Sequence, residues 1–445
     1  MSSSTSSTLD RPRATRMLGY WVFYVGLVLG LVLVLLTILD IRRSILFSGL
    51  PQPWGYPISN SFGALSYGHA VLGAVGSLLT VAGVLGLRRW EHVVPATVNR
   101  RSVRVLALLL FVLLVTDLFL YRGVAATRNL QKGSISAAWL DGFHWTGWWK
   151  PIGIAFSYTL TVWHATLLGL LLSGLAMVCL PFRLESWARR RGLVGGLSGT
   201  AMAVPQPFFS CCAVAWTPTL LRYGASYEFL LAFIVAAPMV NITTLILAGA
   251  LLPPKYALLR LVAGIGLPVL VAYAVSRIYG KNSCSVPKAS HDITASLSKS
   301  LGGEETGVGR SDWLPQSPGV LVQQWLTSSA KLAAWFIPTM VGVAVIAAAI
   351  FEWMPDVCTN SLTSVLVAAV AGTLMMISTW SEIPVVAQLI KTGCSGPAAT
   401  LLVVLPPVSL PCLAILSACT GQIRLSILLA LAVMVIGALV GVLYL

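Results

Sequence analysis

The sequence predicts an all-α polytopic membrane protein with about nine transmembrane helices, two re-entrant or broken helical hairpins and two inverted-topology repeats. Three observations carry that prediction. Of 445 residues, 57% are hydrophobic and only 10% are charged, against roughly 25% charged in soluble domains. Apolar runs return again and again at the roughly 20 residues a helix needs to cross a bilayer. Finally, residues 193–252 set prolines, adjacent cysteines and an arginine inside otherwise membrane-grade sequence, and irregular backbone at that depth survives only where it is buried in protein or lines a cavity.

The elements follow in order. A polar, basic start, MSSSTSSTLDRPRATRM, leads into an apolar run over 18–39, which is long for the apolar region of a cleavable signal and reads as an uncleaved first helix. Further spans are expected over 69–87, 105–121 and 157–180. Between the last two lies AAWLDGFHWTGWWKP, with Trp139, Trp145, Trp148 and Trp149 crowded together. Such rings favour the headgroup level, so an interfacial segment is expected, with an aromatic cage around a cation as the alternative. The interrupted stretch comes next, then spans over 229–252 and 256–278. Residues 279–331, rich in Ser, Gly and Lys, read as a flexible linker. The second half runs through 332–351, an interrupted 362–391, 398–418 and 425–445. The expected domains are a three-helix membrane extension over 1–156, a first repeat over 157–278, the linker on the cytoplasmic side, and a second repeat over 332–445.

Charge sets the expected topology. With a cytoplasmic N-terminus and both interrupted stretches returning to the side they left, 20 of the 29 Lys and Arg fall inside; full crossings by both erase the bias, and the positive-inside tendency prefers the former. Residues 193–204 would give about 18 Å of helix against about 30 Å of hydrocarbon, too short to cross. Residues 362–378 are nearly long enough, which leaves the second hairpin open between re-entry and a full span. Three crossings per unit turn the second half upside down relative to the first, an arrangement suited to alternating access. The expected location is the plasma (inner) membrane. A formal charge of +15 placed between spans serves orientation, and without an aromatic-basic face or recognition motif it does not indicate nucleic acid.

The breaks are expected at Pro205, Pro207, Pro238, Pro384 and Pro407, because proline lacks the N–H that a continuous helix uses. They recur. Arg222-Tyr223-Gly224-Ala225-Ser226 followed by Pro238 is echoed 169 positions on by Lys391-Thr392-Gly393-Cys394-Ser395 followed by Pro407. Interrupted hydrophobic segments at corresponding places in two halves point to a transporter's binding site.

Pro207-Phe208-Phe209-Ser210-Cys211-Cys212, then Arg222-Tyr223-Gly224-Ala225-Ser226, then Ala236-Ala237-Pro238-Met239-Val240-Asn241 resemble the signatures of the ArsP-type predicted permeases, which include arsenical-efflux permeases. Ser381-Glu382-Ile383-Pro384 and Pro406-Pro407-Val408-Ser409-Leu410-Pro411 resemble its second-half signatures, and the likeness covers about residues 157–445. It implies a permease whose hairpin thiols engage a trivalent metalloid. The family's first hairpin cysteine is Phe209 here, Cys211 holds the second position, and Cys212 replaces a serine.

The candidate substrate-binding residues are Ser210, Cys211, Cys212, Asn241, Glu382 and Ser409. Thiolate suits soft metals and, by extension, metalloids, although membrane cysteines also serve as apolar filler. Glu382 either couples a proton or is a structural acid near the outer surface, solvated or paired with Lys391. Asn241 and Ser409, each just beyond a proline, either line the site or satisfy freed carbonyls. Asp117 and His164 read as interfacial or packed groups. The eight cysteines contain no CxxC, and no phosphate-binding motif or nucleophile elbow appears, so neither a metal centre, a cofactor nor an enzyme is expected. The expected function is export of a small solute, a trivalent metalloid or organoarsenical by the resemblance, with a membrane thiol-redox carrier (Cys211 meeting Cys412) and a non-transporting subunit as the alternative classes.

Overall fold

The computed structural model describes residues 11–46, 67–90, 94–132, 147–179, 186–206, 208, 210–222, 224–279, 315–351, 359–375 and 382–445. Trp139, Trp145, Pro207, Phe209 and most of the expected linker lie outside the described residues, and of Trp148, His164, Cys211 and Pro384 only the backbone is described.

Among the described residues the fold is all helical. Three long helices come first, α1 (Arg11–Leu46), α2 (Tyr67–Trp90) and α3 (Ala96–Lys132), followed by a 3-10 turn at Gly147–Trp149 that leads into α4 (Lys150–Cys179). Short helices follow: α5 (Gly192–Ala203), α6 (Ser210–Val214), α7 (Thr217–Arg222), α8 (Tyr227–Val240) and α9 (Ile242–Leu251), then the long α10 (Pro254–Tyr279). Next come long α11 (Pro318–Phe351), short α12 (Leu362–Leu374), α13 (Glu382–Lys391), α14 (Ser395–Val404) and α15 (Leu410–Thr420), and long α16 (Ile423–Leu443).

Six of these helices contain a stretch long and apolar enough to cross a bilayer: Met17–Ile38, Gly68–Trp90, Ala96–Phe119, Pro254–Ile278, Pro318–Ile346 and Ile423–Leu443. A seventh is added if α8 and α9, bent by 42°, count as one span. Their outward faces are apolar, with Leu258, Val262, Ile265 and Leu270 of α10 and Val71, Leu78 and Leu85 of α2 all exposed, a pattern that lipid and not water accommodates. The chain is a multi-pass membrane protein.

Helix ends differ from the sequence expectation where capping chemistry outweighs hydropathy. Helix α11 begins at Pro318 and not near residue 332, because Ser317 Oγ accepts the Val320 N–H at 3.3 Å and Pro318 takes the first helical position, where its missing N–H costs nothing. Residues 318–331, expected in the linker, are therefore helix. In the second half Ser361 Oγ accepts from the Ser364 N–H at 3.3 Å and opens α12, which stops at Leu374 after 13 residues. That is about 20 Å of helix, as short of the bilayer as the 12-residue α5.

The chain divides into two compact units. The first holds Met1–Asp117, Gly174–Cys179 and Glu305–Ser329. Within it α1 and α2 pack backbone to backbone: a Cβ on Gly30 would stand 2.7 Å from the Gly76 carbonyl oxygen, and one on Gly83 would stand 2.8 Å from Leu27 Cα. Tyr24 donates to the Ser102 carbonyl at 3.1 Å and ties α1 to α3, and Arg88 donates to Gln323. Asp117 is buried.

The second unit holds Leu118–Ser173, Leu180–Glu304 and Ala330–Leu445. Its centre is α8, buried continuously from Phe229 to Val240, as expected of a helix that is hydrophobic all round. Helix α8 packs on α5 and α10, and Gly199 of α5 lies against the Phe229 carbonyl. In the second half α14, buried from Gly396 to Val404, packs on α12 and α16, with Gly437 against Val404 and Gly441 against Thr400.

One local motif occurs in both halves. Gly224 (φ 73°) and Gly393 (φ 84°) adopt the left-handed conformation that glycine reaches without a Cβ penalty. At the first, the Gly224 N–H donates to the Leu221 carbonyl at 2.9 Å and the Ala225 N–H to Leu220 at 3.0 Å. At the second, Gly393 donates to Ile390 at 3.2 Å and Cys394 to Leu389 at 2.9 Å. Each is a Schellman ending, and every participant is displaced by 169 positions. Helix starts keep nearly the same interval, Lys150 with Pro318, Gly192 with Leu362, Ile242 with Leu410 and Pro254 with Ile423.

Candidate functional site

Helix α8 continues through Pro238, and the chain leaves helical conformation at Asn241 (φ −64°, ψ 143°). The break thus falls three residues after the proline expected to make it. Asn241 satisfies the groups it frees: its Nδ2 donates to the Ala237 carbonyl at 3.1 Å, while its Oδ1 accepts from the Thr244 N–H at 2.9 Å and the Thr244 hydroxyl at 2.6 Å. It is C-cap of one helix and N-cap of the next.

The second half breaks between Val404 and Leu410, at Pro406-Pro407. Proline has no N–H, so the Leu402 carbonyl, whose helical donor would be residue 406, is left open. Ser409 is buried at the N-cap of α15, and Cys412 is buried a turn further on. The other proline positions are equally specific. Helix α5 ends at Ala203, just before Pro205, whereas Pro384 stands in the first turn of α13, where helices tolerate it.

One side chain gathers these breaks. Arg260 of α10 is fully buried, and its Nη1 donates to the Leu402 carbonyl at 2.7 Å while Nη2 donates to the Pro238 carbonyl at 3.2 Å and to Glu382 Oε1 at 3.0 Å. Glu382 is 1% exposed at the first position of α13, where the helix dipole favours a carboxylate. It is neither solvated nor at a surface, and its ion-pair partner is Arg260, 122 positions away. Arg260 is a site residue that neither the motifs nor the helix-breaking prolines single out. Its signal was a lone charge in KYALLRLVAGIGLPVLV, a placement that in a membrane helix requires a partner or a cavity.

Past the end of α5, Gln206 Oε1 is buried without a hydrogen-bond partner among the described residues, and Phe208 packs on Trp216 and Phe233 at centroid distances of 5.5 and 6.2 Å. Ser210, half-buried, opens α6. Cys212 is buried against α4, where a Cβ on Gly169 would stand 2.8 Å from its Sγ. Ser173 of α4 donates to the Ala215 carbonyl at 2.8 Å and ties α4 to the turn between α6 and α7. The two halves interlock through their broken parts: α15 packs on α6 and α7, and α9 packs on α13. The elements bearing Ser210, Cys211 and Cys212 thus touch the helix that starts just after Ser409, and the helix capped by Asn241 touches the one opened by Glu382. Among the described residues no group of three His, Cys, Asp or Glu could hold a metal ion.

A helical membrane protein whose interior helices are interrupted in both halves, with buried charge at the interruptions, has the build of a transporter. The comparisons agree. A family model described as a predicted permease, of the ArsP type, matches residues 151–445. The chain belongs to that family. It is 31% identical over 277 residues to the UPF0718 protein YraQ of Escherichia coli, covering 60% of this chain and 73% of the relative. It is 24% identical over 282 residues to the UPF0718 protein MJ0584 of Methanocaldococcus jannaschii, covering 52% and 75%. No solved structure matches the chain. The family match leaves residues 1–150 outside it.

Proposed function

We propose that this chain is a permease of the plasma membrane, its N-terminus cytoplasmic, that exports a small solute by alternating access around the interrupted helices of its two halves. The observation that carries the reading is the interlock of the breaks, where Arg260 binds the open carbonyls of Pro238 and Leu402 together with Glu382. Nine crossings arise if α4, the α8–α9 pair and the α14–α15 pair each cross along with the six long helices, while α5 and α12 dip in and return. The halves then run in opposite directions, and rocking one against the other exposes a midplane site to each side in turn.

The substrate class is a trivalent metalloid or its organic derivative, contacted by Cys211 and Cys212 with Ser210, Asn241 and Ser409 around it and Glu382 at its edge. Thiol chemistry supports this class, since soft sulfur ligands suit soft ions. The partners are this solute and the bilayer, with no nucleic acid. Growth of cells with and without the gene on trivalent arsenicals, antimonite and divalent metals tests it. The reading expects the gene to raise tolerance to at least one trivalent compound and Cys211→Ser or Cys212→Ser to remove the gain. Equal sensitivity across the panel overturns the substrate assignment.

A further inference from the structure

A helix that stops inside a protein leaves carbonyls without donors and a partial negative charge at its end. Two such ends converge on Arg260, because Pro238 is third from the end of α8 and Leu402 third from the end of α14. Glu382 adds a full negative charge at 3.0 Å. Helix C-terminal ends and unwound carbonyls are the groups with which broken-helix transporters hold a coupling cation.

We infer that Arg260 is a resident cation, a guanidinium tethered on α10 that fills the coupling-ion position at the crossing of the two broken helices, so that the chain takes up no sodium or potassium there. The planar fork suits the task, since its two terminal nitrogens reach acceptors lying in different directions, which a lysine ammonium reaches less well. Among the described residues its Nε is buried without an acceptor, so the grip is on three oxygens from three separate helices. The feature belongs to one half only: 169 positions from Arg260 and Glu382 stand Leu429 and Ala213, both buried and apolar. The consequence for coupling rests on the permease reading, whereas occupancy of the site is measured without transport, so failure of one is distinguishable from failure of the other.

The test is thermal unfolding of the purified full chain in detergent, in sodium, potassium or choline chloride at equal ionic strength, with and without low-millimolar guanidinium. The wild-type midpoint should be the same in all three salts. Arg260→Ala should be stabilised by guanidinium, and by sodium or potassium over choline, by roughly 2–4 °C, and Arg260→Ala combined with Glu382→Gln should lose that response. A folded Arg260→Ala chain with no cation response, an equal response in the double variant, or sodium stabilisation of the wild type each overturns the inference. If Arg260→Ala is not recovered folded, recovery of Arg260→Lys without recovery of Arg260→Met supports it, and any other pattern of the two overturns it.

Discussion

Arg260 Nη2 and Glu382 Oε1 lie 3.0 Å apart with the two side chains 0% and 1% exposed, joining helices on either side of the long polar connection. Taking both charges out of solvent is expensive, and their attraction offsets that cost only while both are present. Removing either alone should therefore destabilise the chain by about 3–5 kcal/mol, whereas replacing both by apolar residues of similar volume should be much milder. Chemical unfolding of Arg260→Met, Glu382→Met and the double variant measures this, and strictly additive losses would show that the two do not act as a pair.

Asn241 caps two helices at once through three hydrogen bonds. Asn241→Ala should lower stability by about 1–3 kcal/mol, the usual loss when a buried cap leaves its partners unmade. A variant of unchanged stability with altered solute export would instead assign Asn241 mainly to the substrate.

Close helix packing makes a second stability series. Gly199→Ala drives a methyl into the Phe229 carbonyl and Gly441→Ala into Thr400, and each should cost about 1–3 kcal/mol by overpacking. Gly266 has open space at the same position, so Gly266→Ala should be neutral or stabilising by up to about 1 kcal/mol, since glycine within a helix carries an entropic penalty. Melting midpoints of the three variants give the order, and a cost at Gly266 equal to that at Gly199 would contradict the packing.

Cys212 and Cys412 are buried, while Cys179 is partly exposed. A membrane-permeant maleimide should label Cys179 fastest in single-cysteine chains and reach the other two only slowly. Alternating access adds a further expectation, that a transported solute changes the labelling rate at Cys212. Rapid labelling of all three without solute would mean that the hairpin is open in the resting protein.

Much of this was legible in the sequence. Hydropathy and charge announced a polytopic protein, the hairpin landmarks gave both interrupted segments and their interval, and the 12-residue α5 matched the expected short helix. The motif positions gave the family. The breaks were placed less well. Proline position was read as break position, yet α8 runs through Pro238 because the missing N–H alone does not end a helix packed on all sides, and the capping side chain of Asn241 fixes where it stops. Sequence pattern leaves Glu382 either as a proton carrier or as an acid near the outer surface, solvated or paired with Lys391, because periodicity reports neighbours along a helix, whereas Arg260 lies on α10 and is brought in by tertiary folding. Ser317 and Pro318 extended α11 into a stretch whose polarity read as linker.

Uptake of trivalent arsenicals and antimonite into everted inner-membrane vesicles, with and without the chain, tests the central claim most directly. Everted membranes carrying the wild-type chain should accumulate at least one of these solutes above control vesicles, and those carrying Arg260→Met should not. Accumulation that matches the control for every compound would contradict export of this solute class through the interlocked breaks.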